Sequence, residues 1–450
     1  MSKRLTVALV FLLALLTACS SGNSGVNSPS PDTGQPSATD QPAKPAEGAG
    51  NEVVEIRTAW FGSVARHELF NKLLDMFEAE HPNIKVVREY SDWNGYWDKL
   101  NTQAAGGNAP DVIQFTPLHI AEYAGRDVPL NLEEYVKSGK IDLSDWDPKV
   151  VESGKYRGNL YMVSIGMSSP AMFANVDLLN RAGIAMPETD LSYSEFASFV
   201  KEGQSKLGDG AWMLFDSGGN FDHFVIYLLQ KGKKITSDDG TKLGFDQKDV
   251  EEWLSWWDDM REAGAVPPAE VMAEHGSKPW EDSLLVHQKV AIHATNGNQL
   301  KIFQRYMEDR VDILRLPTMP GGASKYGEVF TGVFLAISKN SKHPEEAAKL
   351  INFWANHIEA NKLYNFEHGI IGSNKVNDAL KEQLTEEDKK VIAHANAVLE
   401  TAPATTERPK GYSAISSAFT KTNEQVQFKQ GTVEQAAAAF IGEAQKLLTR

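Results

Sequence analysis

Flat rings and planar polar side chains recur where loops leave regular segments of this chain. Trp60, Trp93, Tyr96 and Phe221 fall at the strand ends or helix starts read below, and Arg66, Asp92, Gln114, Asp216, Asn220 and Asn296 fall in the same places. A carbohydrate presents an apolar face of C–H groups and a rim of hydroxyls, which aromatic faces and amide, carboxylate or guanidinium groups match. The mixture suits carbohydrate binding. For any single aromatic the competing reading is core packing. It is preferred for Trp97, which shares a helical face with Leu100. It is also preferred for Trp253, Trp256 and Trp257, which with Met260 repeat at three and four residues as a buried helix stripe. Arg66 could grip a uronate carboxylate through two parallel hydrogen bonds. An ion pair with Glu68 or Asp92, or a helix-entry contact, accounts for it equally, and the neighbouring His67 reads as a surface or capping residue.

Covalent and metal chemistry finds little support. His67-Glu68-Leu69-Phe70-Asn71 begins like a zinc-protease helix but lacks the second histidine, and the 11 histidines are scattered rather than clustered. There is no nucleophile elbow, Walker loop or dinucleotide fingerprint. Acidic pairs such as Glu251-Glu252, Asp258-Asp259 and Glu386-Glu387 read as solvated helix faces. A glycosidase needs two carboxylates across a cleft, about 5 to 9 Å apart, and no pair stands out for that role. The expectation is a protein without catalytic residues, cofactor or metal. A tethered polysaccharide lyase or hydrolase, and a sensor or adhesion module, are the alternatives from other classes.

The elements that position these residues follow from periodicity. Val53–Trp60 reads as a strand. In the helix that follows, Leu69, Phe70, Leu73, Leu74 and Phe77 form one face, ended by His81-Pro82-Asn83. Ile84–Tyr90, Gly95–Ala105 and Asp111–Phe115 continue the pattern as strand, helix and strand. Short connections between them argue for a parallel sheet in an α/β domain. Ligands then meet the loops at the carboxyl ends of the strands, here Trp60–Arg66, Ser91–Tyr96 and Gln114–Leu118. Later strand-like segments include Leu160–Ile165, Trp212–Phe215, Val290–His293, Val311–Leu316 and Phe330–Ile337. The chain is 450 residues long with 60 acidic and 45 basic side chains, a formal charge of −15. That length buries a large core, and the acidic balance with no basic block excludes nucleic acid as a partner.

Lys3 and Arg4 precede the uncharged run Leu5–Leu16, which is too short to span a bilayer and fits a secretory signal peptide. The run ends in Leu16-Thr17-Ala18-Cys19, which resembles the lipobox of bacterial lipoproteins. The resemblance implies cleavage before Cys19, the only cysteine, and acylation of its sulfur. Residues 20–50 are rich in Ser, Gly, Pro, Asn, Gln and Ala and cannot offset their ordering entropy by burial, so they read as a tether. Fully extended it would reach roughly 100 Å.

Trp60-Phe61-Gly62-Ser63 with Arg66-His67, then Phe77 through Val86, Trp93 through Gln103 and Ala105 through Gln114, resembles the opening of the extracellular solute-binding proteins of ABC sugar importers. The stretch is most similar to the branch that includes binders of pectin-derived oligogalacturonides. Ala291–Gly297 and Pro344–Phe353 agree with it. The resemblance implies two α/β lobes joined by crossover strands and closing on a sugar, in a two-lobe periplasmic-binding-protein-like fold. It places the Gln114 side chain toward the cleft. It also implies hinges where Gly, Ser and Asn let backbone approach a ligand, among them Ser168, Asn296 and Gly297, although Asn296-Gly297 is equally a plain turn. The expected division is 1–18 signal peptide, 19–50 lipidated cysteine and tether, 51–165 with 297–332 as one lobe, and 166–296 with 333–450 as the other. The expected protein is a monomeric lipoprotein on the outer face of a cell membrane. It captures an oligosaccharide, with a pectin-derived uronate as the acidic candidate, and delivers it to the transmembrane subunits of an ABC permease.

Overall fold

The computed structural model describes residues 53–237, 239–276, 278–319, 331–402 and 408–448; the expected signal peptide, Cys19 and the tether lie outside them. The chain opens as β1 (Val54–Phe61), α1 (Val64–Glu80), β2 (Ile84–Ser91), α2 (Trp93–Ala105) and β3 (Val112–Phe115). Ser63 starts α1, its Oγ accepting from the Arg66 amide, and the stripe Phe70, Leu73, Leu74 and Phe77 is buried against the sheet. β1 pairs in parallel with both β2 and β3, as the alternating pattern requires.

Six more strands complete two sheets: β4 (Val163–Ser168), β5 (Pro170–Asn175), β6 (Trp212–Leu214), β7 (Val290–Asn296), β8 (Val311–Leu314) and β9 (Thr331–Ile337). The first sheet has the order β2-β1-β3-β9-β4, and the second β8-β5-β7-β6. The helices that matter below are α3 (Phe221–Gln230), α4 (Gln247–Glu262), α5 (Pro344–Asn356), α6 (Glu386–Thr401), α7 (Tyr412–Gln427) and α8 (Val433–Leu448). α1, α2 and α5 cover the first sheet around one apolar core, while α3, α4, α7 and α8 build a second around Phe224, Trp253, Phe419 and Phe440. Two sheets with separate cores make two lobes.

Among the described residues the chain passes between elements of the two lobes at three places. Ser169 alone separates β4 of the first sheet from β5 of the second. The second passage lies between β8 and β9. The third lies between Leu380, in the first core, and α6, which packs beside β8. The expected division therefore needs correction. Residues 297–319 carry β8 into the second lobe, and β9 with α5 belongs to the first. A strand's sheet is set by its hydrogen-bonding neighbours, β9 lying antiparallel between β3 and β4, and no local pattern in the sequence records those neighbours. Near the first passage a turn is pressed onto β4. The Met167 and Ile370 backbones exchange bonds of 2.7 and 2.8 Å. Gly369, at φ +102, would place a Cβ 2.1 Å from the Met167 carbonyl oxygen, so only glycine fits there.

Candidate functional site

A cavity of about 460 Å³ opens at the carboxyl ends of β6 and β7 in the second lobe. Phe215, the residue that follows β6, stacks on His293 of β7 with centroids 4.0 Å apart and planes 15° from parallel. Trp280, from the short turn Trp280–Asp282, adds a third ring, 6.4 Å from His293. Burial holds His293 well below its ordinary value, at about 3, with the nearby His223 acting in the same direction. The ring is therefore neutral and stacks without bringing charge into the cavity, and its buried Nδ1 has no hydrogen-bond partner among the described residues.

α7 forms the opposite wall with Asn423, Glu424 and Gln427. A buried ion pair locks this wall to β6. The Asp216 carboxylate accepts from Arg261 Nε at 2.7 Å and Nη2 at 3.1 Å, and from Gln427 Nε2 at 2.8 Å. Arg261 Nη2 also donates to Asn423 Oδ1 at 2.7 Å, which fixes that amide. Four polar side chains are thus held in place by mutual bonds rather than by solvent. The cavity combines flat rings with oriented amides and a carboxylate, the groups that match the C–H face and hydroxyl rim of a sugar.

The first lobe carries two accessible rings at the same edge of its own sheet, Tyr90 near the end of β2, 46% exposed, and Trp93. Trp93, at the start of α2, remains 42% exposed. It is supported edge-on by Phe61 at 4.8 Å and Trp97 at 5.5 Å. Trp97 itself is buried and stacks on His119 at 3.5 Å, in keeping with the core reading. Trp253 and Trp257 are core residues too, as the stripe on α4 predicts, whereas Trp256 is only partly buried at the edge of that core.

Other expected contact residues are buried or bonded within the protein. Trp60 is only 2% exposed. β1 runs one residue beyond it, and the register pairs it with Tyr90, so both rings lie on one face of the sheet, 4.9 Å apart. Its Nε1 donates to His67 Nδ1 at 3.1 Å, and burial together with Arg66 keeps His67 below its ordinary pKa, so that this nitrogen can accept. Tyr96 is buried with its hydroxyl on the Gln114 carbonyl at 2.6 Å, and Phe221 is buried against Tyr412 and Phe419. Asp92 and Asn220 are helix N-caps, accepting from the Gly95 and His223 amides. Asn220 also lies at the rim of the cavity. Gln114 is fully buried; its Oε1 accepts from the Phe61 amide at 3.1 Å, and its Nε2 has no partner.

Ser168, Asn296 and Gly297 meet at the first crossover. The Gly297 amide donates to the Ser169 carbonyl at 2.8 Å, and the Asn298 amide to Ser168 Oγ at 3.0 Å. Arg66 forms an ion pair, as one of its readings held, but with a carboxylate remote in sequence: Nε and Nη2 reach Glu367 Oε1 at 3.0 and 2.9 Å. Of the expected residues, Asp216 and Asn220 line the cavity and Trp93 stays accessible. Phe215, Trp280, His293, Asn423 and Gln427 were not singled out. Phe215 ends a strand-like segment by the same rule that picked Trp60. Trp280 follows Lys278-Pro279 outside any apolar period, which marks a ring with no helix face to join. Asn423 and Gln427 carry no signal beyond a shared helix face.

Among the described residues no group of His, Cys, Asp and Glu could hold a metal ion, and no helix is long and apolar enough to cross a membrane. The description "Bacterial extracellular solute-binding protein" matches residues 72–392. An extracellular solute-binding protein of family 1 from Alicyclobacillus acidocaldarius superposes with a TM-score of 0.69 at 26% identity, over 89% of this chain and 100% of that one. A periplasmic oligogalacturonide-binding protein from Yersinia enterocolitica, in complex with saturated digalacturonic acid, superposes with a TM-score of 0.78 at 25% identity, over 88% and 99%. A Streptomyces antibioticus protein described as an uncharacterized lipoprotein is 27% identical over 225 residues, 48% of this chain and 42% of that protein. The matched family and the two superposed proteins are binding proteins rather than enzymes, and the two-lobe architecture is that of the superposed pair. The chain belongs to the bacterial extracellular solute-binding protein family.

Proposed function

We propose that the protein is the substrate-binding lipoprotein of an ABC importer, that it captures an oligosaccharide between its lobes, and that it hands the sugar to a membrane permease. The observation that carries the sugar reading is the cavity of the second lobe, lined together by the Phe215–His293 stack and by the Asn423 and Gln427 amides that Arg261 and Asp216 hold. Trp93 supplies a further ring from the first lobe. Sugar touching both lobes favours the closed form, because a ligand shifts an equilibrium only by its difference in affinity for the two states. The closed form is then the one a permease receives.

A neutral sugar is favoured over a uronate. The Arg66 fork already holds Glu367, and the most buried charge in the cavity wall, Asp216, is negative and paired. The digalacturonate of the Yersinia relative makes the acidic class the comparison to run. Calorimetric titration with malto-, xylo- and galacturonate oligosaccharides tests both statements. Heatless titrations across the whole panel would end the sugar reading, and binding of the galacturonates alone would end the preference for neutral sugars. An oligosaccharide recovered intact after long incubation separates a binder from a lyase or hydrolase.

The lipobox-like Leu16-Thr17-Ala18-Cys19, the tether after it and the Streptomyces lipoprotein relative support anchoring of Cys19 on the outer face of a cell membrane. Cys19→Ser should move the protein from the membrane fraction to the soluble one. An unchanged membrane fraction would overturn the anchor.

A further inference from the structure

The turn Pro117–His119 leaves β3 at the carboxyl edge of the first sheet and packs against α7 of the second lobe. Its residues face both ways. His119 is buried in its own lobe, stacked on Trp97 at 3.5 Å and 18°, and its Nδ1 is bonded to Thr116 Oγ1 at 3.0 Å. Leu118 instead packs, half-buried, on the apolar cluster of the other lobe, to which α7 contributes Ile415, Ala418 and Phe419. Pro117 restricts the backbone at the start of the turn, which lowers the entropy lost in holding it there. The helix that receives Leu118 is the one that places Asn423, Glu424 and Gln427 in the cavity wall.

We infer that Leu118 is a latch between the lobes, which holds the Pro117–His119 turn on α7 and keeps the closed arrangement populated before any ligand arrives. The latch concerns the conformational balance of the chain; it rests on the sugar reading only for the identity of what the cavity takes. Opening the lobes would return the Leu118 side chain to water. Half of a full leucine burial corresponds to a closed-to-open ratio higher by about three- to twelvefold than it would be without the side chain. A binder with part of its closure already secured loses less apparent affinity to the open population.

Small-angle X-ray scattering of the unliganded full chain tests this. Leu118→Ser should enlarge the radius of gyration and Leu118→Met should leave it at the wild-type value. An unchanged radius in a Leu118→Ser protein with wild-type circular dichroism would overturn the latch. Should that variant fail to fold, Leu118→Ala provides the same comparison with a smaller change of polarity. No sugar enters this measurement, so a failure of the sugar reading shows separately, as absent heat when the wild-type chain is titrated with oligosaccharides.

Discussion

Replacing Trp60 and Trp93 by alanine, one at a time, should separate a core ring from a binding ring. Trp60 is 2% exposed, so truncation removes close to the full burial of an indole, about 150–250 Å². At about 25 cal/mol per Å² this amounts to about 4–6 kcal/mol, close to the roughly 3–5 kcal/mol usual for deleting a buried tryptophan. The hydrogen bond to His67 Nδ1 is lost as well. Trp93 keeps 42% of its surface in water, so a sugar could cover at most about 100 Å² of it, an upper bound near 2.5 kcal/mol. Direct aromatic contacts in proteins give about 0.5–1.5 kcal/mol, so a three- to tenfold loss of affinity is the expected scale. Urea unfolding and calorimetric titration on both variants form the assay. Trp60→Ala should shift the unfolding midpoint strongly while its folded fraction keeps wild-type affinity. Trp93→Ala should do the reverse. A stable Trp60→Ala protein with weakened sugar binding would refute the burial argument, and unaltered affinity in Trp93→Ala would remove that ring from the site.

Arg66→Ala should lower affinity for acidic and neutral oligosaccharides equally, because its fork holds Glu367; a selective loss for the acidic sugar in parallel titrations would show a ligand contact instead. Asp216→Ala should destabilise by about 3–5 kcal/mol in denaturant unfolding, since it leaves the largely buried Arg261 without its carboxylate; a change below about 1 kcal/mol would mean the ion pair is not what holds α7 to β6. Stability should fall between about pH 6.5 and pH 4. Burial pushes His119, His223 and His394 down to about 4 and His293 to about 3, so the unfolded chain binds more protons than the folded one throughout that window. Above about pH 6.5 these groups are neutral in both states and contribute no slope. The bonded carboxylates Asp222 and Asp249 are held below their ordinary values, so their contribution is lost only at the acid end. Urea midpoints that stay level from pH 7.5 to pH 5 would contradict the neutral burial of these rings.

The opening of the chain was legible because its signals are local. α1 declares itself by an apolar repeat and a serine cap, and β1 through β3 by alternation with short connections, and this suffices for a parallel sheet and for the loops at its carboxyl edge. The partners that decide function are not local. Trp60 and Phe215 both occupy strand ends, but Trp60 is opposed in register by Tyr90 and enclosed by Phe70, while Phe215 is opposed by His293 beside open space. Arg66 is equally ambiguous until the turn carrying Glu367 is folded against β4. The same limit explains the misplaced lobe boundary, since β9 looks like any apolar strand until its two neighbours are known.

A consequence follows for how such sites arise. The cavity wall is assembled from β6, β7, the Trp280 turn and α7; α7 is seated by the apolar core, and the Asp216–Arg261–Asn423 bonds tie it to the end of the early strand. Substitutions at Phe215 or Trp280 can then retune the ring surface without unfolding the lobe, since neither side chain is fully buried. Substitutions at Asp216 or Arg261 act on the wall as a whole. On the proposed sugar reading, ligand preference should accordingly vary through the rings, while the ion pair beneath them steadies the wall that the rings line.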